Sequence, residues 1–567
     1  MYQYNDTDQR LIVARAAQYR DQLQRHLAGA LDEDAFKPLR LQNGWYIQRH
    51  APMLRVAIPY GALAARQLRA LGDVADAFDR GYAHFTTRQN VQFNWIALER
   101  SADVMDVLAR VHMHGIQTSG NCIRNITTDA LAGVAPDEVA DPRPFCEILR
   151  QWSTLHPEFA FLPRKFKIAV SGALEDRVAA GWYDVGLHLT RDTAGNLGFR
   201  VQAGGGMGRT PIIGSVIRDF LPWQELLNYC EAILRVYNSY GRRDNLWKAR
   251  IKILVRSEGE RFVAAVEREF AAIRDEDGGA HRITEAEYER VAAHFTPPTE
   301  RQHAADDASV EAGLDTAAQR AFALWAGRNV RAHRDPQLRV VTLSLKRAGQ
   351  APGDVTSAQM RAAADLADRF SAGELRVSHQ QNLLLPWVRA AELPQLWRQA
   401  RAAGFATPNI GLLTDIIACP GGDFCGLANA RSIPVAAGVL ARYGDIAELL
   451  DIGDIDLNIS GCINSCGHHH SGHIGVLGVD KDGAEWYQIT LGGADGSARA
   501  QSAGPGKIIG PSFAADEVVD AIEAIVDVYL ERRAKGERFI ESVRRLGVAP
   551  FAAAANAVRQ ETAEVAS

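Results

Sequence analysis

Four of the seven cysteines in this 567-residue chain fall in two glycine-rich loops, Cys419 and Cys425 in "ACPGGDFCGLANARS" and Cys462 and Cys466 in "NISGCINSCGHHHSGHIG". The spacings are C-x5-C and C-x3-C. Thiolates gathered this way can hold a metal centre, and glycines at 421, 422, 426, 461 and 467 permit tight turns that aim backbone amides at sulfur. Structural zinc favours closer C-x2-C knuckles. Iron–sulfur ligation by the four cysteines therefore suits the pattern best, with zinc and unligated buried thiols as the alternatives. The odd, sparse cysteine total argues against a disulfide framework. Cys122, Cys146 and Cys230 read most simply as small buried residues.

A second chemical grouping is cationic. Lys165 and Lys167 flank Phe166 in "FLPRKFKIAV". On a strand that spacing points both ammonium groups to one face and the ring to the other. Arg164, one step out of register, is expected to point away from the pair. Arg88 stands in "HFTTRQNVQF" and Arg124 in "GNCIRNITTD". Taken singly, each of these charges reads as a solvated surface group or half of an ion pair. Two loops, "QTSGN" at 117–121 and "AGGGMGRT" at 203–210, have backbones able to approach an anion closely, with Arg209 available in the second. The second loop lacks the glycine spacing and acidic ribose partner of a dinucleotide site, and an unliganded tight turn is its bland alternative. His468, His469, His470 and His473 follow Cys466; they suit hydrogen bonding or packing there as well as a metal site.

These groups need a scaffold, and the chain repeats itself to supply one. "GALAARQLRALGDVADAF" from Gly61 aligns without a gap on "GDVTSAQMRAAADLADRF" from Gly353, matching Gln67 with Gln359, Arg69 with Arg361, Asp73 with Asp365, Asp76 with Asp368 and Phe78 with Phe370. The register continues through Gly81 with Gly373, Gln89 with Gln381, Asn90 with Asn382 and Trp95 with Trp387. Each copy reads strand, helix, strand, an α+β half-domain, followed by a sheet-rich region. Two similar lobes about a pseudo-twofold axis follow from such a duplication, with a cleft between them. The expected divisions are an N-terminal arm at 1–49, half-domains at 50–115 and 336–402, mixed α/β regions at 116–293 and 403–545, a linker at 294–335 and a tail at 546–567.

Length predicts three or four domains. With 47% hydrophobic and 23% charged residues the composition is that of a globular fold, and a net charge of -5 argues against a broad nucleic-acid surface. The opening segment lacks the pattern of a secretory leader, and no apolar run reaches about 18 residues. A cytoplasmic protein without membrane contact is expected.

"CPGGDFC" and "GCINSC", joined to the duplication, resemble the sirohaem-dependent sulfite and nitrite reductases over nearly the whole chain. The resemblance implies ferredoxin-like half-domains and a [4Fe-4S] cluster on Cys419, Cys425, Cys462 and Cys466, with Cys466 also bridging to the sirohaem iron. It implies that Arg88 and Arg124 hold the oxyanion while Lys165 and Lys167 lend protons. Sirohaem carries eight carboxylates, and Thr118, Asn121, Gly205, Gly206, Arg209, Asn464 and Cys466 are its expected contacts. The implied activity is assimilatory six-electron reduction of sulfite to sulfide, with nitrite reduction to ammonia as the neighbour and a non-catalytic zinc scaffold as the reading from another class. No flavin or nicotinamide domain stands out, so electrons are expected from a ferredoxin or a separate flavoprotein subunit.

Overall fold

The two copies of the repeat build the same unit and trade strands to complete it. The computed structural model describes residues 4–276, 279, 281–299, 315–499 and 502–565. In the first unit Trp45–Ile47, Pro52–Val56, Val91–Phe93 and Tyr82–Phe85 form an antiparallel sheet, whose fifth strand, Asp354–Thr356, comes from the second copy. In the second, Val330–Ala332, Leu338–Leu343, Leu383–Arg389 and Glu374–Val377 take Ala62–Ala64 from the first copy as their fifth.

The matched helices are Ala65–Phe78 and Ser357–Phe370. Their apolar residues recur at helical spacing, Leu68, Leu71, Val74 and Ala75 in one and Met360, Ala363, Ala364 and Ala367 in the other, and all are buried. Thr356 caps the second helix, accepting from the Gln359 amide at 3.2 Å while the Gln359 side chain accepts from the Thr356 amide at 3.0 Å. Both helices end in a left-handed glycine, Gly81 and Gly373, whose N–H returns to Ala75 and Ala367, each at 2.9 Å. The two units share one apolar core, in which Phe85 and Leu68 lie with Met360 and Leu385.

The residues matched in sequence are those that meet across the axis. Arg69 donates to Asp365 and Asp368 at 2.7 and 2.6 Å, and Arg361 donates to Asp73 and Asp76, both at 2.8 Å. Gln89 Nε2 bridges the carbonyls of Thr128 and Val377, and Gln381 Nε2 those of Phe85 and Ala418, all at 2.9 Å. The arrangement is that of an isologous dimer fused into one chain.

The duplication extends into the remaining sheets. Thr127–Thr128, Ile168–Ser171, Val185–Arg191, Leu197–Ala203 and Ser215–Pro222 lie in order, the first two pairings parallel and the next two antiparallel. Ile417–Ala418, Leu457–Ser460, Ile474–Lys481, Ala484–Leu491 and Lys507–Ile508 repeat that scheme. Each of these lobes has its own apolar core.

Three outlying segments are more structured than their composition suggests. The N-terminal arm holds helices Asp6–Leu27 and Glu33–Gln42, which place Tyr19, Leu23 and Phe36 in the shared core. Because Trp45–Ile47 and Val330–Ala332 are sheet strands, both half-domains begin earlier than residues 50 and 336. The linker contains helix Thr316–Asn329, which buries Trp325 in the same core; its charged stretch at 300–314 lies outside the described residues. The alanine-rich tail forms helix Ala549–Val565, with Phe551 and Ala555 buried.

Candidate active site

The two cysteine loops leave the same edge of the second mixed sheet. Ile417–Ala418 and Leu457–Ser460 are parallel neighbours, so Cys419 and the loop bearing Cys462 and Cys466 emerge side by side. The Gly461 N–H donates to Cys419 Sγ at 3.2 Å, and Ser432 Oγ lies 3.5 Å from the same sulfur. Backbone amides of Leu427 and Ala428 face Cys425, and that of Asn464 faces Cys462. Burial pushes the Cys419 thiol up to about 12, with the charge of Cys466 adding to it. Burial likewise raises Cys425 and Cys462, and Cys466 acts on both, so all four sulfurs lie within electrostatic reach of one another's loop. Gly467 is obligatory in this turn, since a Cβ there would sit 1.9 Å from the Ile459 carbonyl oxygen. Among the described residues no three His, Cys, Asp or Glu side chains are placed to hold a single metal ion. A lone tetrahedral zinc draws its sulfurs to about 2.3 Å of one point, whereas a four-iron cube is gripped at its corners and needs a wider ring of thiolates.

Against the second of these loops is a small cavity lined by Lys165, Lys167, Tyr183, Arg250, Asn464 and His468, among others. Phe166 forms an isolated bridge with Ile123 and turns its ring onto Tyr237 in the core, so the lysines on either side face the cavity together. Among the described residues neither ammonium makes a hydrogen bond or ion pair. Burial, partly opposed by the Cys466 charge and reinforced by Arg124, Arg250 and Arg164, lowers Lys165 to about 8. Burial, Arg88 and Lys165 bring Lys167 well below its ordinary value. Arg88 is lowered by burial too; it donates to the Asn125 carbonyl at 2.5 Å, lies 5.0 Å over the Tyr183 ring, and has no protein partner for Nη1. Arg124 spends its fork on loop carbonyls, Nη1 to Thr118 at 2.9 Å and Nε and Nη2 to Gly120 at 3.0 and 2.8 Å.

Arg164 does not line this cavity, yet it is half-buried beside Arg250 and Arg124 and helps to depress Lys165, so it belongs to the same electrostatic neighbourhood. Alternation along a strand sets where a side chain points, not how far its charge is felt. Thr118 uses its hydroxyl on backbone carbonyls of Gly115 and Arg55, at 2.6 and 3.0 Å. Asn121 is exposed, its carbonyl accepting from Leu162 at 2.9 Å. A Cβ on Gly205 would meet the Gly181 and Tyr183 carbonyl oxygens at 2.3 and 2.4 Å, and one on Gly206 would meet Arg250 at 3.0 Å. These glycines let the loop press against the lysine-bearing lobe. Arg209 at its tip is exposed and free of ion pairs among the described residues. The histidines divide their work: His470 Nε2 lies 2.9 Å from the Gly208 carbonyl, the Asp456 amide donates to His473 Nδ1 at 3.2 Å, His469 is buried against His470, and His468 faces the cavity.

Profile comparison matches residues 119–273 and 455–562 to the "Nitrite and sulphite reductase 4Fe-4S domain", and 46–111 and 341–403 to the "Nitrite/Sulfite reductase ferredoxin-like half domain". The "Sulfite reductase [ferredoxin]" of Mycobacterium tuberculosis is 30% identical over 507 residues, covering 87% of this chain and 82% of that one. The chain belongs to the nitrite and sulfite reductase family. This reductase is also 26% identical over 527 residues to the "Assimilatory ferredoxin-dependent nitrite reductase" of Haloferax mediterranei, covering 87% of this chain and 82% of the relative. The solved structure of Mycobacterium tuberculosis NirA superposes with a TM-score of 0.74 at 26% identity, covering 93% of each chain.

The residues of this reductase fit the family's cofactors. Amides converge on the cysteine sulfurs, and a half-buried set of mutually repelling cations faces them with one fully buried carboxylate, Asp184, in its midst. Such a set calls for a polyanion. Sequence reading missed Asp184 and Arg250, which pair at 2.7 Å, and Lys252, whose Nζ braces the glycine loop through Met207 and Thr210 carbonyls at 2.7 and 2.6 Å. It also missed Tyr183. Nothing in their spacing sets them apart, because they reach the site from separate elements. No helix among the described residues is long and apolar enough to cross a membrane.

Proposed function

We propose that this reductase converts sulfite to sulfide with electrons from a ferredoxin, holding a [4Fe-4S] cluster on Cys419, Cys425, Cys462 and Cys466 and a sirohaem between those loops and the cationic cavity. The pair of unpartnered lysines, backed by Arg88, carries the reading. Bound together, cluster and sirohaem supply electrons one at a time to an oxyanion. The chain provides the rest. Lys165 and Lys167 attract the anion's oxygens as compact charges that can also give up protons, and their depressed basicity makes that transfer easier. Arg88 offers Nη1 as a directional donor. Arg124 shapes the loop at 118–120 and keeps its charge near the cavity. Asn464 and Met207 of the glycine loop line the cavity, and Arg209, exposed at that loop's tip, is available to a sirohaem carboxylate.

Ferredoxin is favoured over a flavoprotein because the relatives named above carry it in their names. Nitrite is the second reading, since the Haloferax nitrite reductase aligns over as much of the chain as the mycobacterial sulfite reductase. A visible spectrum with sirohaem bands, followed by kcat/KM for sulfite and nitrite with the same reduced ferredoxin, tests both. A colourless, iron-free preparation refutes the proposal, and a preference for nitrite above tenfold replaces sulfite as the substrate.

A further inference from the structure

A second cavity, of about 170 Å3, adjoins the cationic one and shares Tyr183 and His468 with it. Its place follows from the duplication. Gln380 lines it and follows Arg88 at the offset that relates Gln381 to Gln89. Asp456 lines it and directly precedes strand Leu457–Ser460, as Lys167 directly precedes Ile168–Ser171. Thr342 lines it where the first sheet has Arg55, as their pairings with Leu384 and Gln92 show. It is thus the axis-related counterpart of the anion pocket, with Gln380 and Asp456 at the positions of Arg88 and Lys167. Asp129, Glu175, Asp415, Asp456 and Asp495 line it against Arg177, Arg331 and Arg499, with Arg177 bound to Asp129 at 2.6 Å and Arg499 to Asp456 at 3.1 Å. Carboxylates are in excess on this wall, which disfavours an oxyanion, whereas water is well held among such polar groups. Burial, with the charge of Asp456 behind it, raises Asp495 to about 6, so one carboxyl on this wall exchanges protons near neutrality.

Tyr183 stands at the junction. It is 4% exposed, and no protein group completes a hydrogen bond to its hydroxyl, although Arg88 and Thr127 lie beside it. On the far side His379, 8% exposed, has its ring centroid 6.5 Å from that of Tyr183, its Nδ1 tied to the Thr87 carbonyl at 3.0 Å and its Nε2 unpartnered. A buried hydroxyl is costly to leave unmatched, and Tyr183 lines both the lysine cavity and the acidic one.

We propose that the acidic cavity is a water reservoir and that Tyr183 is a catalytic residue passing protons from it to the oxyanion beside Lys165 and Lys167, an inference that rests on the reductase reading above. Each S–O bond that breaks consumes two electrons from the protein donor and two protons, and the oxygen leaves as water. The Tyr183 O–H gives one proton to the departing oxygen and a lysine ammonium gives the other. The tyrosinate is then reprotonated by cavity water, and the lysine likewise, both drawing on bulk solvent.

The test compares wild-type and Tyr183→Phe holoenzyme. The variant should bind sulfite within twofold of wild type by optical titration, lose about tenfold or more in kcat, and show a larger solvent deuterium isotope effect on kcat. Thr342→Trp, which fills the cavity away from Tyr183, should give the same signature with sirohaem bands retained. Wild-type kcat and isotope effect in both variants overturn the relay. A loss traced entirely to sulfite affinity overturns it too, making Tyr183 a binding residue. If wild-type holoenzyme reduces neither sulfite nor nitrite, the reductase reading fails instead.

Discussion

Replacing Lys165 by methionine keeps the length and most of the volume of the side chain and removes its charge. The fall of this lysine from an ordinary 10.5 to about 8 corresponds to roughly 3 kcal/mol held against the ammonium form by burial first, then by Arg124, Arg250 and Arg164. An oxyanion in the cavity works in the opposite sense, since opposite unit charges about 4 Å apart attract by about 4 kcal/mol in a partly screened site. Anion binding and protonation of Lys165 are therefore coupled. Methionine should forfeit about 2–4 kcal/mol of that attraction, or about 30- to 1000-fold in kcat/KM for sulfite. The charged lysine exists only below its own pKa, so kcat/KM of the wild type should fall along an alkaline limb at pH 8 or above, bound anionic cofactor moving the limb upward. Lys165→Met should lack this limb. Steady-state kinetics from pH 6 to 10 with a saturating donor reports both quantities. A variant that loses less than threefold and keeps the wild-type limb would refute the coupling.

Gln89→Leu should cost about 3 kcal/mol or more, because it strands the Thr128 and Val377 carbonyls and the Thr128 amide in the interior; the midpoint of denaturant unfolding reads this out. Arg361→Ala should lower stability by less than about 1 kcal/mol, its two aspartate partners being 66 and 46% exposed, and the small loss should shrink further in high salt. Gly467→Ala should leave far-ultraviolet dichroism nearly unchanged while iron and acid-labile sulfide per chain fall severalfold, since the Cβ would collide with the Ile459 carbonyl and displace Cys466. Full iron content in that variant would show that the turn tolerates the methyl group.

What could be read beforehand was local or periodic. The cysteine loops, the alternation around Phe166 and the matched repeat all announce themselves within short windows, and Arg69, Asp73 and their counterparts proved to be partners because a duplicated interface must match itself. The exchanged strands gave no such signal, since two three-residue strands, Ala62–Ala64 and Asp354–Thr356, carry no periodicity of their own. The N-terminal helix was legible in principle: Ile12, Ala16, Tyr19 and Leu23 are spaced as one helical face. Tyr183, Asp184 and Arg250 converge only in three dimensions, and the charge-inverted cavity is visible only once register aligns Asp456 with Lys167.

The traded strands have a practical corollary for anyone dividing this polypeptide. A fragment ending in the linker would present the Tyr82–Phe85 edge bare, and its complement would present Glu374–Val377 in the same state. Bare edges invite promiscuous pairing. Co-expressed fragments should find each other and knit, whereas either one alone should precipitate or pair with itself, recreating the symmetric ancestor that the doubled gene implies.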